Sequence, residues 1–417
     1  MAKKEIEQTE IEAPYELPEG WKWETLEKLC FIPITDGTHQ TPTYSDSDSG
    51  IPFISSKDVT KEFIDWSNIK YITKELHSEL YKRVAPQIDD ILLAKNGTTG
   101  VAAIVDTDKI FDIYVTLALI RPNKEIILPR FLLQVINSPI CKNQFDEHLT
   151  GIGVPNLHLR DIRTTMIPLP PTLAEQQRIV NRIESMFAKL DEAKERAQNV
   201  VDGFETRKAA ILHKAFTNQL KIENGKLKDE DWEETTLGNV IKLLSGQDFK
   251  PDDYNDSENG IPYITGASNF ADNHVIINRW TEKPTVIAQK NDVLLVCKGS
   301  GYGKTIIADF SEAHIARQIM ALRPNKDISN RFIYYLLQNN YDYLRNGGQG
   351  LIPGIARNVV LSLPIKLPPF NYQLSIVNFL DSVLEKENKA KQAAEAVLEQ
   401  IDLLKKSILA RAFRGEL

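Results

Sequence analysis

The sequence predicts an α+β protein in which two mixed α/β domains, related by a pseudo-twofold axis, are separated by two long antiparallel coiled-coil helices. Three observations support this fold class. The second half of the chain repeats the first half in order, each half contains short β-rich runs, and each half ends in a long segment with heptad spacing. Self-comparison therefore decides the architecture before secondary structure is assigned.

The repeat consists of short segments that recur in the same order. The spacing between partners shrinks slowly along the chain, as loop insertions and deletions after a duplication would cause. Trp21–Leu26 resembles Trp232–Leu237, Gly50–Ile54 resembles Gly260–Ile264, Asp90–Leu93 resembles Asp292–Leu295, Arg121–Lys124 recurs as Arg323–Lys326, Leu169–Pro171 recurs as Leu367–Pro369, and Ile211–Phe216 resembles Ile408–Phe413.

Length and composition fit a globular protein. The 417 residues predict two or three domains at about 100–200 residues each. Lys+Arg number 50 and Asp+Glu 57, so nucleic-acid binding would depend on local patches or on a partner's charge. The three cysteines, Cys30, Cys141 and Cys297, form no CxxC pair, which favours a reducing cytoplasm. No apolar run approaches the roughly 20 residues that span a bilayer, so we expect no membrane association.

Two long helices are predicted to begin after Pro171 and Pro369, because proline is tolerated in the first turn of a helix but not in its interior. Apolar residues in both regions recur at alternating steps of four and three, which is typical of a coiled coil. Alternatively, each helix only covers its own domain. The two series are Ile179, Ile183, Met186, Leu190, Ala193, Ala197, Val200, Phe204 and Ile211, and Ile376, Leu380, Val383, Ala390, Ala394, Val397, Ile401, Leu404 and Ile408.

One position of the heptad spacing is missing from each apolar series and is occupied by a charged residue. This residue is Arg207 in the first helix and Glu387 in the second. Antiparallel pairing would place Arg207 opposite Glu387 and Leu190 opposite Leu404. Parallel pairing would instead place each charge against a leucine, and unpaired buried charges are costly. The sequence therefore predicts the antiparallel arrangement.

Domain boundaries follow the changes of pattern. We expect a flexible N-terminus at residues 1–16, mixed domains at 17–171 and 223–369, and helical spacers at 172–222 and 370–417. Strands are predicted where β-rich runs are bounded by Gly, Asp and Asn, helices after each Arg-Pro-Asn-Lys, and a turn before the second copy. These are strands at Ile51–Ile54, Asp90–Leu93, Val101–Val105 and Ile113–Thr116, helices at 129–138 and 330–346, and a turn at Thr217–Asp231.

Catalytic motifs are missing from this pattern. Gly299–Thr305 suggests a phosphate loop, but position 298 is Lys where a Walker A loop requires Gly. Leu367–Phe370 has the Pro-Pro pair of an amino-methyltransferase motif without the preceding polar residue that would hold the amine. Pro251–Asp253 lacks a downstream Glu-x-Lys, and the histidines have no metal-ligand spacing. The sequence therefore predicts a binding protein without catalytic activity.

The chain resembles the specificity subunits of type I restriction–modification systems. Leu169-Pro-Pro, followed by Leu173-Ala-Glu-Gln-Gln-Arg-Ile-Val180, a heptad helix and Ile211–Phe216, is similar to the conserved region of that family. The second copy departs from the family pattern at Asn371-Tyr372, where an acidic residue usually precedes Gln. The other segments that resemble the family are Leu17–Trp21, Thr35–Pro42, Leu367–Pro369, Tyr372–Val377 and Ser407–Leu417.

The resemblance implies that each mixed domain is a target-recognition domain reading one half of a split site in double-stranded DNA. The helices would set the spacer between the halves and dock two modification subunits, which supply adenine N6-methylation with S-adenosylmethionine. Restriction subunits would supply ATP- and Mg-dependent translocation and cleavage, and this cytoplasmic chain would hold no cofactor itself. The alternatives are a methylation-only system, a coiled-coil scaffold without DNA contact, and an enzyme.

Candidate DNA-contacting residues are polar groups on loops at matched places in the two copies. Gly-rich backbone can approach a phosphate closely, and lysine adds charge. The alternatives are ordinary hairpin turns and, for the arginines before the helices, pairing with acidic neighbours. The candidates are Thr38, His39, Gln40, Thr41, Lys95, Asn96, Thr98, Thr99, Arg160 and Arg163 in the first copy, and Gln247, Lys298, Ser300, Tyr302, Lys304 and Arg357 in the second.

Overall fold

The computed structural model describes residues 14–149, 155–217, 219–220, 231–271, 274–299, 301–346 and 354–417. These residues form two compact units. Unit 1 is Met1–Ala197 with Ala396–Leu417, and unit 2 is Gln198–Glu395. Each unit therefore combines one mixed α/β domain with the beginning of one long helical region and the end of the other. The predicted fold class, two mixed α/β domains with long helices, is confirmed.

Unit 1 contains two four-stranded sheets and one two-stranded ribbon, with strand orders β2-β9-β6-β7, β3-β5-β4-β8 and β1-β10. Among the strand pairs in the described part of unit 1, β4 and β8 are parallel and the others are antiparallel. In chain order its elements are β1 Lys22–Thr25, β2 Thr35–Asp36, β3 Tyr44–Ser45, β4 Ile51–Ile54, β5 Lys70–Ile72, α1 Lys74–Arg83, β6 Ile91–Ala94, β7 Ala102–Ile104, β8 Asp112–Ile113, β9 Leu117–Ile120, α2 Pro129–Ile136, α3 Pro139–Glu147, α4 Leu159–Thr164, β10 Met166–Leu169 and α5 Leu173–Asp202, whose last residues belong to unit 2.

Unit 2 repeats this plan with sheets β12-β19-β16-β17 and β14-β13-β18-β15 and the ribbon β11-β20. Its elements are α6 Phe204–Phe216, β11 Glu233–Thr236, α7 Leu237–Val240, β12 Ile241–Ser245, β13 Ile261–Ile264, β14 Trp280–Thr281, β15 Ile287–Gln289, β16 Val293–Val296, β17 Thr305–Ile307, β18 Glu312–Ile315, β19 Ile319–Pro324, α8 Asn330–Asn339, α9 Tyr341–Asn346, α10 Arg357–Leu361, β20 Pro364–Leu367 and α11 Phe370–Ala412, whose last residues belong to unit 1.

A fully apolar central strand divides the core of each unit into two layers. Successive side chains of a strand point to opposite faces. In β6, Ile91 and Leu93 therefore join the core that includes α2, whereas Leu92 and Ala94 join the core that includes β8. Strand β16 alternates in the same way between two cores in unit 2. Burial on both faces explains why these runs show no polar alternation.

The arginine of each repeated Arg-Pro-Asn-Lys segment forms an ion pair with a buried aspartate. Arg121 donates from Nε and from a terminal amino group to the two carboxylate oxygens of Asp90, both at 2.7 Å. In unit 2, Arg323 contacts Asp292 in the same bidentate way, at 2.9 and 2.8 Å. Such planar pairs fix orientation as well as contributing energy.

A buried glutamine joins each long helix to its domain. The side chain of Gln176 accepts from the amide of Leu128 at 2.8 Å and donates to the carbonyl of Ile126 at 3.0 Å. Gln373 in α11 likewise accepts from Ser329 and donates to Asp327. Both amides lie in the core and satisfy backbone groups that would otherwise be unpaired.

The Ala-Phe pair that ends each long helical region lies in a hydrophobic core. Phe413 is fully buried in unit 1, where its ring packs edge-on against Phe131 at 5.5 Å. In unit 2, Phe216 packs against Phe332 at 5.1 Å. The repeated Ile-Leu-x-x-Ala-Phe segment is therefore a packing motif.

Helical segments within each unit run antiparallel. In unit 1, Lys194 pairs with Asp402 at 3.3 Å and Lys405 with Asp191 at 2.6 Å, so residue numbers rise on one helix as they fall on the other. In unit 2, Arg207 Nε donates to Glu387 Oε2 at 2.8 Å, which is the contact that the antiparallel register predicts.

Two details of the helices differ from the prediction. The first helical region is locally distorted at Gly203, where the Arg207 side chain donates to the carbonyl of Val200 at 2.8 Å. The backbone bonds from Gly203 to Asn199 and from Arg207 to Gly203 keep the helical spacing there. Leu404 is 48% exposed, so it does not occupy a buried seam position. Instead, Lys391 and Lys405, which each follow a position of the predicted series by one residue, contact the facing helix. The ammonium of Lys391 lies 5.0 Å from the ring centre of Phe204, and that of Lys405 lies 5.0 Å from the ring centre of Phe187.

Three local predictions also need correction. Tyr15 is held in place, because its hydroxyl donates to the carbonyl of Phe413 at 2.8 Å; residues 1–13 lie outside the described part. The strand expected at 113–116 ends at Ile113, where a turn leads into β9. The helix expected at 330–346 is split, because the side chain of Asn340 caps α8 on the carbonyl of Leu336.

Most of the predicted turn at 217–231 lies outside the described residues.

Reversing the charge of Arg207 tests the antiparallel register. We expect Arg207→Glu to destabilise unit 2 by about 1–2 kcal/mol, because it replaces a partly exposed ion pair with two like charges. Adding Glu387→Arg should restore part of the loss in the thermal unfolding midpoint. Lys389→Glu, which breaks the exposed pair with Glu385, is the control and should change stability by no more than about 0.5 kcal/mol. Purely additive effects of the two reversals would contradict the pairing.

Candidate nucleic-acid interface

A close backbone approach starts the first polar loop in each unit. We name residues 37–41 loop A and residues 246–249 loop B. A Cβ added to Gly37 would lie 2.0 Å from the carbonyl oxygen of Ile113, and one added to Gly246 would lie 2.1 Å from that of Ala316. Only glycine fits these positions, so both loops leave their sheets at the same structural place.

Loop A presents three of its four predicted residues to solvent. Thr38 is buried, and its backbone amide donates to Ile113 while its hydroxyl accepts from the amide of Gln40 at 3.1 Å. The side chains of His39, Gln40 and Thr41 are exposed. Thr38 therefore anchors the loop. Gln40 and Thr41 are available to a ligand, and the exposed His39 has its Nε2 3.3 Å from the carboxylate of Asp36.

The prediction that Lys95 contacts DNA is wrong. Its side chain is only 7% exposed, and its ammonium lies 2.9 Å from the carboxylate of Asp36, which is also buried. A buried carboxylate requires a charged partner, and Lys95 supplies it. Lys95 is therefore a structural residue and is not free to contact a phosphate.

The glycine turns after the central strands correspond in the two units, as the matched polar clusters in the sequence predict. We name residues 96–100 turn A and residues 298–303 turn B; Ser300 lies outside the described residues. Asn96 bridges to Asn156 as Lys298 bridges to Gly354, so Lys298 corresponds to Asn96 and not to Lys95. In turn A, Thr98 is exposed and Asn96 and Thr99 are partly exposed.

Turn B carries two cations that differ in surroundings. Lys298 is exposed, and no carboxylate among the described residues pairs with it. Tyr302 and Lys304 instead line a cleft of about 940 Å³ between turn B, α6, α8 and α9. Gly303 adopts φ +91° beside the ring of Tyr341, where a side chain would clash. Lys298 is therefore exposed outside this cleft, whereas the exposed Lys304 lines it.

The three predicted arginines have different roles. Arg163 donates to the carbonyl of Ile34 at 2.6 Å and lies 3.7 Å from Glu27, so it ties α4 to the segment before loop A. Arg160 is exposed beside Asp161. Arg357 is exposed and donates to the hydroxyl of Ser245 at 3.0 Å. Arg160 and Arg357 remain candidates for phosphate contacts, whereas Arg163 is a structural tie.

Loop B is fixed by residues that the sequence did not single out. The fully buried His314 donates from Nε2 to the carbonyl of Gln247 at 2.7 Å, while its Nδ1 accepts from the amides of Thr285 and Val286. Burial lowers the pKa of His314, and its ring stacks on that of Phe249 with the ring centres 4.1 Å apart. The exposed Gln247 side chain accepts from the hydroxyl of Thr285. No spacing in the sequence reveals these tertiary contacts.

No cluster of three or more His, Cys, Asp or Glu in the described ranges could hold a metal ion. Within those same ranges, no helix combines the length and the apolarity needed to cross a membrane.

The family model described as the type I restriction modification DNA specificity domain matches residues 18–201 and again residues 229–400. The class of protein is thus one with two DNA specificity domains. The chain belongs to the specificity subunit family of type I restriction–modification systems, which confirms the resemblance seen in its sequence. The double match also agrees with the internal repeat.

Individual relatives cover almost the whole chain. A type I restriction enzyme MjaX specificity subunit of Methanocaldococcus jannaschii is 26% identical over 421 residues, covering 96% of this chain and 95% of that protein. The crystal structure of the HsdS subunit from Thermoanaerobacter tengcongensis is 25% identical with a TM-score of 0.68, covering 97% and 99% of the two chains. A chain from a structure on complex assembly and conformational transition of the type I R-M system shares the fold, with a TM-score of 0.76, 24% identity, and coverage of 97% and 100%.

Substitution of Lys298 distinguishes a phosphate contact from a base contact. We expect Lys298→Ala to weaken DNA binding on all sequences and to reduce the slope of log affinity against log salt by about 1, because one phosphate contact is lost. Binding would be measured by fluorescence anisotropy across a salt series. Lys290→Ala, at an exposed lysine on another turn of unit 2, is the control and should leave the slope unchanged. Loss confined to one half of the DNA site would make Lys298 a base-reading residue instead.

Proposed function

We propose that this chain reads a bipartite DNA sequence for a type I restriction–modification enzyme, with one half-site read by each mixed domain. One observation carries the proposal: both units present an exposed polar loop and a glycine turn at equivalent places on the same sheet framework. Reading bases requires hydrogen-bonding side chains held in defined positions at groove edges. His39, Gln40, Thr41 and Thr98 in unit 1, and Gln247 and Lys298 in unit 2, are the strongest candidates.

The long helices set the spacer between the half-sites in this proposal. Helix α11 has 43 residues, which corresponds to roughly 65 Å at about 1.5 Å per residue. A buried glutamine lies near the start of each helical region and a buried phenylalanine at its end. Anchoring of this kind supports the proposal, because a helix held by buried side chains cannot pivot freely against the domain that buries them.

The helices also dock two modification subunits, which perform adenine N6-methylation with S-adenosylmethionine. Restriction subunits join the complex and carry the ATP- and Mg-dependent steps, so the chain itself needs no cofactor and works in the cytoplasm. Its formal net charge of −7 supports a division of labour, because counterion release from this chain alone is limited. We therefore propose weak DNA binding by the isolated chain and tight binding by the complex that encloses the duplex.

A methylome provides the direct test. Cells that express the chain with its modification subunit should acquire N6-methyladenine in one split motif, with one methylated adenine on each strand and a fixed gap between the halves. Single-molecule sequencing of genomic DNA measures motif and gap together. The control is a strain with the modification subunit alone, which should lack the motif. A purified complex of both proteins that leaves the genome without any motif would contradict the proposal.

A further inference from the structure

An aspartate–arginine pair lies at the start of loop A in unit 1, and another lies within loop B in unit 2. In unit 1, Asp36 immediately precedes loop A and contacts Arg83 at 3.3 Å. In unit 2, Asp248 lies within loop B and contacts Arg317 at 2.6 Å, and its carboxylate also accepts from the Arg317 amide at 3.1 Å. The two arginines come from different elements, because Arg317 follows β18 whereas Arg83 is the last residue of α1.

Asp36 is the hub of a small charge network at the base of loop A. Its buried carboxylate contacts the ammonium of Lys95 at 2.9 Å, Arg83 at 3.3 Å and the ring of His39 at 3.3 Å. A second amino group of Arg83 lies 3.5 Å from the carbonyl of Gly37. The guanidinium therefore touches the loop on both sides of the Asp36–Gly37 peptide.

Helix α1 is attached to unit 1 mainly by polar contacts. None of its residues is fully buried, so the hydrophobic core does not hold it. His77 Nδ1 lies 2.7 Å from a carboxylate oxygen of Asp112, which is 1% exposed. The other oxygen of Asp112 has no hydrogen-bond partner among the residues that the structure describes. Arg83 forms the second attachment. In unit 2 the corresponding residues 282–286, all of them described, form no helix.

Equivalent strand positions in the two units hold the two loops, one indirectly and the other directly. Asp112 pairs with Phe53 in the parallel β4–β8 register, and His314 pairs with Tyr263 in the parallel β13–β18 register. In unit 2, His314 bonds loop B directly. In unit 1 the equivalent residue holds α1 through His77, and α1 in turn contacts loop A through Arg83.

We propose that α1 is a half-site specificity element, in which Arg83 positions loop A through Asp36 and Gly37. This inference rests on the proposed function and assigns Arg83 and His77 as positioning residues for one half-site. Arg317 is their counterpart for the other half-site. We name the contacts of Arg83 with loop A and of Arg317 with loop B the two clamps. Loss of either clamp leaves the residues of the loop unchanged but lets the loop sample other conformations. Discrimination between bases therefore falls more than overall binding does.

The test compares clamp variants of the full chain in complex with its modification subunit. Three duplexes are used: the motif from the methylome, the same motif with its first half scrambled, and the motif with its second half scrambled. We expect Arg83→Met to reduce discrimination against one scrambled half by about tenfold, equivalent to about 1.4 kcal/mol, and to leave the other within about twofold. Arg317→Met should show the same loss for the opposite half.

Two further variants separate positioning from general damage. Arg83→Lys retains the charge at Asp36 and should restore most of the discrimination. His77→Ala releases the other attachment of α1 and should reproduce the Arg83→Met pattern at the same half-site. An Arg83→Met complex with wild-type discrimination, or with equal losses at both halves, would overturn the clamp. A wild-type complex that discriminates against neither scrambled duplex would overturn the proposed function itself, and the two failures are therefore distinguishable.

Discussion

The structure depends on the burial of the Ala-Phe pair that ends each long helical region. Phe413 and Phe216 pack against aromatic rings of unit 1 and unit 2, and truncating such a buried phenylalanine typically costs about 3–5 kcal/mol. In unit 1 this burial joins the stretch Ala396–Leu417 to Met1–Ala197, whereas unit 2 is the single stretch Gln198–Glu395. By comparison, the coiled-coil seam is weak, since partly exposed Lys391, Lys405 and Arg207 lie among its apolar residues.

Buried polar groups then determine how the hydrophobic parts are arranged. The bidentate pairs Arg121–Asp90 and Arg323–Asp292, and the glutamines Gln176 and Gln373, recur at equivalent places with nearly the same partners. A buried ion pair adds little net stability, because desolvation offsets its attraction. Its contribution is geometric, since it allows only one orientation of the strands and helix ends. The loops that leave this framework consequently start from the same positions in both units.

The sequence located the polar loops but could not distinguish free side chains from committed ones. Lys95 and Lys298 look alike in sequence, yet one neutralises the buried Asp36 and the other is exposed. Arg163 looks like a phosphate contact and instead binds the carbonyl of Ile34. His314 and Arg83 carry no local signal, because their partners are distant in sequence. A side chain's availability depends on which carboxylates and carbonyls the fold brings near it, and that is a tertiary property.

By itself the sequence determined the duplication, the alternation of mixed domains and long helices, the starts of the helices, and the family. These features depend on periodicity and on local backbone preferences, which are properties of neighbouring residues. The tertiary structure decided that each helical region ends in a hydrophobic core and that seam positions shift to Lys391 and Lys405. It also decided that loop A is clamped by an additional helix. These outcomes depend on long-range contacts, whose energies exceed the local preferences that the sequence reveals.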